Sequence, residues 1–235
     1  PSFRSEFIFP ESKENRQPLY FAGHSLGLMP VKAKEYINDE LNSWGKHGVE
    51  GHFEGKHPWL PYHENITESY AKLVGAKNSE VVAMNSLTVN LHLMLVSFYR
   101  PTKTKFKILI EPNSFPSDKY AVDSQARFHG FDPKETVVEL KLKPGQMTLT
   151  EADIEEQIAN LGDSLALVML GNCNYLSGQK FNFEKITQLA HQQNAFAGFN
   201  LAHGAGNLAL KLHDWNVDFA VWCSYKYLNA GPGGI

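Results

Sequence analysis

Leu165-Ala166-Leu167-Val168-Met169-Leu170 is a run of six residues without a polar side chain. A strand with one face in water alternates apolar and polar residues. This one is apolar on both faces, the pattern of a strand buried between two layers. Similar short runs cover residues 106–110, 195–199 and 217–222. Helical patterns separate them. Val31, Ala33, Tyr36, Ile37, Leu41 and Trp44 recur at helical spacing after Pro30, and further helices are expected over 68–75, 86–99, 116–128 and 183–193. Thr150-Glu151-Ala152-Asp153 has capping-box form, with Ile154, Ile158 and Leu161 on one face and Gly162 as the stop. Buried strands alternating with helices indicate an α/β layer fold with a mainly parallel sheet. Ligands of such sheets sit at the carboxyl ends of the strands, so polar residues just beyond the runs are the first places to look for chemistry.

Composition narrows the function classes. An apolar share of 43% in 235 residues supports a core, and a net charge of −3 with no Lys/Arg cluster argues against nucleic acid or an anionic membrane as partner. No window approaches a membrane span, and the first seventeen residues lack a signal peptide's apolar run. Cys173 and Cys223 have no zinc spacing and form no disulfide framework, so no metal is expected and a cytoplasmic, reducing compartment is the default.

Three strand ends stand out. Ser224-Tyr225-Lys226-Tyr227-Leu228-Asn229 follows the 217–222 run and precedes Gly231-Pro232-Gly233-Gly234. An amine desolvated among aromatic groups becomes a nucleophile for aldehydes, although a lysine snorkelling at a strand terminus fits the spacing equally well. Asn200-Leu201-Ala202-His203-Gly204 follows the 195–199 run. Taken alone, His203 is more often a structural histidine than a catalytic one. Asn85-Ser86-Leu87-Thr88 opens a helix and suits an anion, or else is ordinary capping by Ser86 or Thr88. A phosphate seat, a lysine and an aromatic plate such as Phe115 are together what pyridoxal phosphate requires.

The segment VDFAVWCSYKYLNAGPGGI resembles the lysine segment of the kynureninase family, pyridoxal-phosphate enzymes of the aspartate aminotransferase superfold. YFAGHSLGLMP (20–30), VEGHFEGKHPW (49–59), AMNSLTVNLHLMLVSFYRPT (83–102), FPSDKYAVDSQ (115–125), NYLSGQKFN (174–182) and GFNLAHGAGN (198–207) resemble the same family in the same order. The resemblance implies a fold type I large domain with a mainly parallel sheet, its small C-terminal domain absent. Residues 1–50 would form an N-terminal segment and helix on the substrate and dimer side, and 51–235 a partial cofactor-binding domain. It further implies Lys226 as the amine that binds the cofactor aldehyde and shuttles the α-proton. Leu87, Thr88 and Tyr225 would reach the phosphate, and Phe115 would stack on the ring. Pro116, Ser117, Asp118, Gly171, Asn200 and His203 would complete the cofactor site, with Ser25 and His52 near the substrate. The implied enzyme is a homodimer that hydrolyses L-kynurenine or its 3-hydroxy form to an anthranilate and L-alanine. GHSLGL and FPSD argue against carbon–sulfur or aminotransferase chemistry on the same fold.

Four departures qualify this. Asn200 stands where the family carries the aspartate that pairs with the pyridinium. Loss of a buried ionic partner is worth about 3–5 kcal/mol, and half of that in the transition state slows a reaction roughly ten- to hundredfold. The alternative expectation is therefore a weakened or inactive paralogue that acts by binding. His24 replaces an asparagine, and Gly171 replaces a serine near the phosphate, leaving only a backbone amide there. The chain also stops at Pro232-Gly233-Gly234-Ile235, shortly after the lysine and short of the family's length.

Overall fold

The computed structural model describes residues 3–11, 16 and 18–234; residues 1, 2, 12–15, 17 and 235, including the final Ile of the closing PGGI, lie outside it. A two-residue pair, β1 (Phe7–Ile8) and β2 (Met29–Pro30), precedes α1 (Ala33–His47), α2 (Glu64–Val74) and α3 (Leu87–Phe98). Then come β3 (Lys107–Ile110), α4 (Pro116–Phe128), the single turn α5 (Pro133–Thr136), β4 (Val137–Glu139) and α6 (Glu151–Leu161). The last elements are β5 (Leu165–Gly171), α7 (Phe183–Gln192), β6 (Phe196–Asn200) and β7 (Phe219–Val221).

Strands β3 to β7 form one sheet in the order β4-β3-β5-β6-β7, every pairing parallel. From β3 the chain steps outward to β4, then crosses back to β5 and continues the other way. The strand order thus reverses between β3 and β5, the place where an α/β sheet opens a crevice. The run that announced the fold is β5, and Leu165 to Leu170 are all buried. One face packs Leu109, Val168, Leu170 and Phe199 against α6 and α7; the other packs Ile108, Ile110, Leu167 and Met169 against α3 and α4. Ala166 and Leu167 face the same side because the β3–β5 register shifts there, from Lys107↔Leu165 to Ile108↔Leu167.

Some boundaries differ from expectation. The strand expected over 217–222 is the shorter β7, and just before it the Asp218 carboxylate accepts the Ala197 N–H at 2.7 Å and meets His191 Nε2 at 2.8 Å. Helix α2 begins at Glu64 rather than 68, since the polar Glu64-Asn65 turn carries no apolar signal. The Thr150/Asp153 capping box forms as expected, Asp153 N–H donating to Thr150 Oγ1 at 3.1 Å and Thr150 N–H to Asp153 Oδ2 at 3.0 Å. The α1 stripe forms a helix, yet none of its residues is buried, and Tyr36, Ile37, Leu41 and Trp44 are exposed. Among the described residues no helix is long and apolar enough to cross a membrane.

Candidate active site

A cavity of about 480 Å³ opens at the carboxyl ends of β3, β5 and β6, at the strand-order reversal. It gathers Ser25, Leu87, Thr88, Phe115, Ser117, Asp118, Gly171, Asn200, His203, Tyr225 and Lys226. Two expected residues are not brought to it. Pro116 is the first residue of α4, behind Phe115. His52 lies in the exposed turn after α1, edge-on to Trp59 at 5.6 Å between ring centroids.

Local structure explains each position. Ser86 takes the N-cap position of α3 with extended backbone but makes no side-chain cap bond, so the capping alternative is not realised. The first helical bond there is Asn90 N–H to Ser86 C=O at 2.9 Å. The amides of Leu87 and Thr88 find no acceptor among the described residues, which leaves a helix N-terminus open to an anion. The turn carrying His24 and Ser25 docks on the lysine segment through Gly27 N–H to Tyr225 C=O at 2.8 Å. A side chain at Gly27 would collide with Lys226 C=O and Asn229 Oδ1, both 2.3 Å from an ideal Cβ.

Lys226 projects into the cavity. Its Nζ lies 3.3 Å from His203 Nε2 and 5.8 Å from the Phe115 ring centroid. Burial, then the positive charges of Lys226 and His24, push the His203 imidazole down to about 4. It is therefore neutral near pH 7 and accepts from Lys226. Burial pushes the Tyr225 phenol up to about 12, keeping it a neutral donor.

Carboxyls and an amide also line the cavity. Asn200, buried at the end of β6, donates from Nδ2 to Asp118 Oδ2 at 2.5 Å, while its Oδ1 accepts the Ala202 N–H at 2.8 Å. Burial raises the Asp118 carboxyl, opposed by its bonds from Asn200 and Ser117 and by the Lys226 charge. The Gly171 amide, the one group expected of that residue, is already taken by Glu111 Oε2 at 3.2 Å. Glu111 is a functional candidate that the sequence reading passed over. Burial and the neighbouring Asp118 charge push it up to about 7. It follows directly after β3, so the rule that picked out the other strand ends would have found it had it been applied there. Tyr175 also lines the cavity, edge-on to Phe115 at 5.3 Å.

The aminotransferase class-V family model matches residues 35–235. The chain belongs to the aminotransferase class-V family. A curated kynureninase of Myxococcus xanthus is 59% identical over 233 residues, 99% of this chain and 55% of that protein. A kynureninase of Dictyostelium discoideum is 45% identical, covering 100% of this chain and 55% of its own length. The chain thus spans about half the length of the curated relatives it matches. Among solved structures, a C-DES mutant with glycine covalently linked to its PLP cofactor superposes with a TM-score of 0.75 at 18% identity, covering 92% of this chain and 54% of that one. That likeness bears out the α/β fold with a mainly parallel sheet expected from the apolar runs. The class-V match also covers every cavity residue except His24 and Ser25, which precede it.

Proposed function

We propose that this chain is the cofactor-binding part of a kynureninase, which hydrolyses L-kynurenine or 3-hydroxykynurenine with pyridoxal phosphate on Lys226. The observation that carries the reading is the set of curated kynureninases 45–59% identical over 98–100% of the chain. The cavity fits that cofactor on its own terms. It offers an amine inside, unclaimed helix amides for a phosphate, an aromatic ring beside the amine and buried polar groups in its lining.

When bound, pyridoxal phosphate supplies an electron sink for the negative charge left when the α-proton departs. The residues of the chain do the rest. Leu87 and Thr88 amides and the Tyr225 hydroxyl would hold the phosphate, and Phe115 would pack on the ring. Lys226 anchors the aldehyde and then carries the α-proton, with neutral His203 as its hydrogen-bond partner. Ser25, on the turn docked over the lysine segment, faces the substrate side, whereas His52 lies outside the cavity of this chain. Water adds to the γ-carbonyl, the Cβ–Cγ bond breaks, the hydroxyl oxygen ends in the anthranilate carboxylate and a proton completes the alanine methyl group. The protein works as a cytosolic homodimer on this reading, and two free cysteines are in keeping with a reducing compartment.

The test is the visible spectrum of the purified chain with pyridoxal phosphate, with and without L-kynurenine. A cofactor band that shifts on addition of substrate and is followed by fluorescent anthranilate supports the reading. A band that never leads to turnover points to the binding paralogue instead.

A further inference from the structure

We propose that Asn200 meets a bound pyridine nitrogen as a neutral hydrogen-bond donor, its amide locked in that orientation by Ala202 and Asp118. The inference rests on the pyridoxal phosphate reading above and concerns the protonation state in which this site holds the ring.

The orientation of the amide is decided by its partners. Ala202 N–H can only donate, so the atom 2.8 Å away is the Asn200 oxygen. The nitrogen therefore faces Asp118, whose Oδ2 receives one of its two hydrogens. The other Asp118 oxygen is approached by Ser117 Oγ at 3.4 Å. Among the described residues the second Asn200 hydrogen has no acceptor. Residue 200 lines the cavity, so what it offers a ligand is a single N–H, with neither lone pair nor charge. Rotating the amide to offer the oxygen instead would set NH₂ against the Ala202 N–H and oxygen against the Asp118 carboxylate, two buried conflicts at once.

Ring chemistry decides what meets that hydrogen. In pyridoxal phosphate the nitrogen lies para to the carbon bearing the aldehyde. With the aldehyde at Lys226 and the phosphate at the start of α3, the nitrogen would lie on the ring edge away from the Lys226 bond. His203 is engaged with Lys226, while Asn200, backed by Asp118, brings to the cavity an amide hydrogen that no described residue accepts, and that is the donor assigned to the nitrogen. A neutral ring nitrogen accepts the Asn200 hydrogen. A protonated one would set N–H against N–H. Asp118 stands behind the amide and reaches the ring only through it.

Ring-¹⁵N-labelled pyridoxal phosphate bound to the chain reads the state directly by NMR. The expected wild-type resonance is that of an unprotonated, hydrogen-bonded pyridine. Asn200→Asp keeps an acceptor for Ala202 N–H, moves the resonance into the pyridinium range and raises turnover roughly ten- to hundredfold. Asn200→Leu, which has no donor, moves it toward the unbonded pyridine value. A wild-type resonance already in the pyridinium range overturns the inference alone, because a carboxylate must then reach the nitrogen. A resonance indifferent to both substitutions also overturns it, because residue 200 is then not the partner. A chain that takes up no pyridoxal phosphate overturns the cofactor reading, and this inference with it.

Discussion

A carboxyl only 6% exposed, with a second carboxylate beside it, keeps its proton to a higher pH than the same group in an unfolded chain. Glu111 is that group, raised from 4.5 to about 7 by burial first and Asp118 second. Its sign follows from proton counting. Between about pH 4.5 and 7 the native state holds the proton and the unfolded state has released it, so stability falls as pH rises through that window. A shift of this size corresponds to about 3 kcal/mol lost by the top of the window. Glu111→Gln keeps the shape and removes the titration, so its urea midpoint changes less between pH 5 and pH 8 than that of the wild type. Equal slopes for the two proteins would show that Glu111 does not titrate as its burial dictates. Glu111 also closes off Gly171, since a side-chain carbon there would sit 2.7 Å from Glu111 Oε1. A serine at this position, as in the family resemblance, requires the carboxyl to move. Gly171 and the buried Glu111 are thus one local solution.

Elements bring these residues together, and the clearest joint is the 22–27 turn seated on the lysine segment. Gly27 fits there because it lacks a Cβ, and two oxygens lie 2.3 Å from where one would be. One is a backbone carbonyl, which cannot rotate aside, so Gly27→Ala forces the turn off Lys226. The expected cost is about 1–3 kcal/mol of stability together with weaker cofactor uptake. Thermal unfolding and a pyridoxal phosphate titration measure the two effects, and an unchanged variant would mean that the turn is not part of the site. The central elements were legible in the sequence, because β5 and the apolar stretches of β3 and β6 carry their burial in composition alone. The short β4 and the β1–β2 pair were not, since two or three residues hold too little pattern to separate a strand from a loop. Most of the cavity residues were legible at strand ends and helix starts. Glu111 followed the same logic unnoticed, while the Asn200–Asp118 bond joins residues 82 positions apart, which no local pattern reports.

At the scale of the whole molecule, the cavity is where distant parts of the chain meet. Ser25, Thr88, Asp118, Asn200 and Lys226 come from five segments that only the folded sheet and its helices bring to one place. A ligand that touches all of them binds the native state and has nothing comparable to bind in the unfolded one. Its binding energy therefore adds to folding stability. At a concentration one hundred times its dissociation constant, pyridoxal phosphate is expected to add about 2.7 kcal/mol, which for a domain of this size raises Tm by about 5–10 °C. Lys226→Ala removes the amine while leaving the α3 amides and the Asn200 wall, so it retains only the smaller shift of a non-covalent ligand. Pyridoxine 5′-phosphate, which has the ring and phosphate but no aldehyde, should give the wild-type chain a similarly reduced shift. If Lys226→Ala with pyridoxal phosphate gains as much as the wild type, the anchor lies elsewhere. The two reduced shifts agree only if the difference between them and the full shift is the bond from Lys226 to the aldehyde.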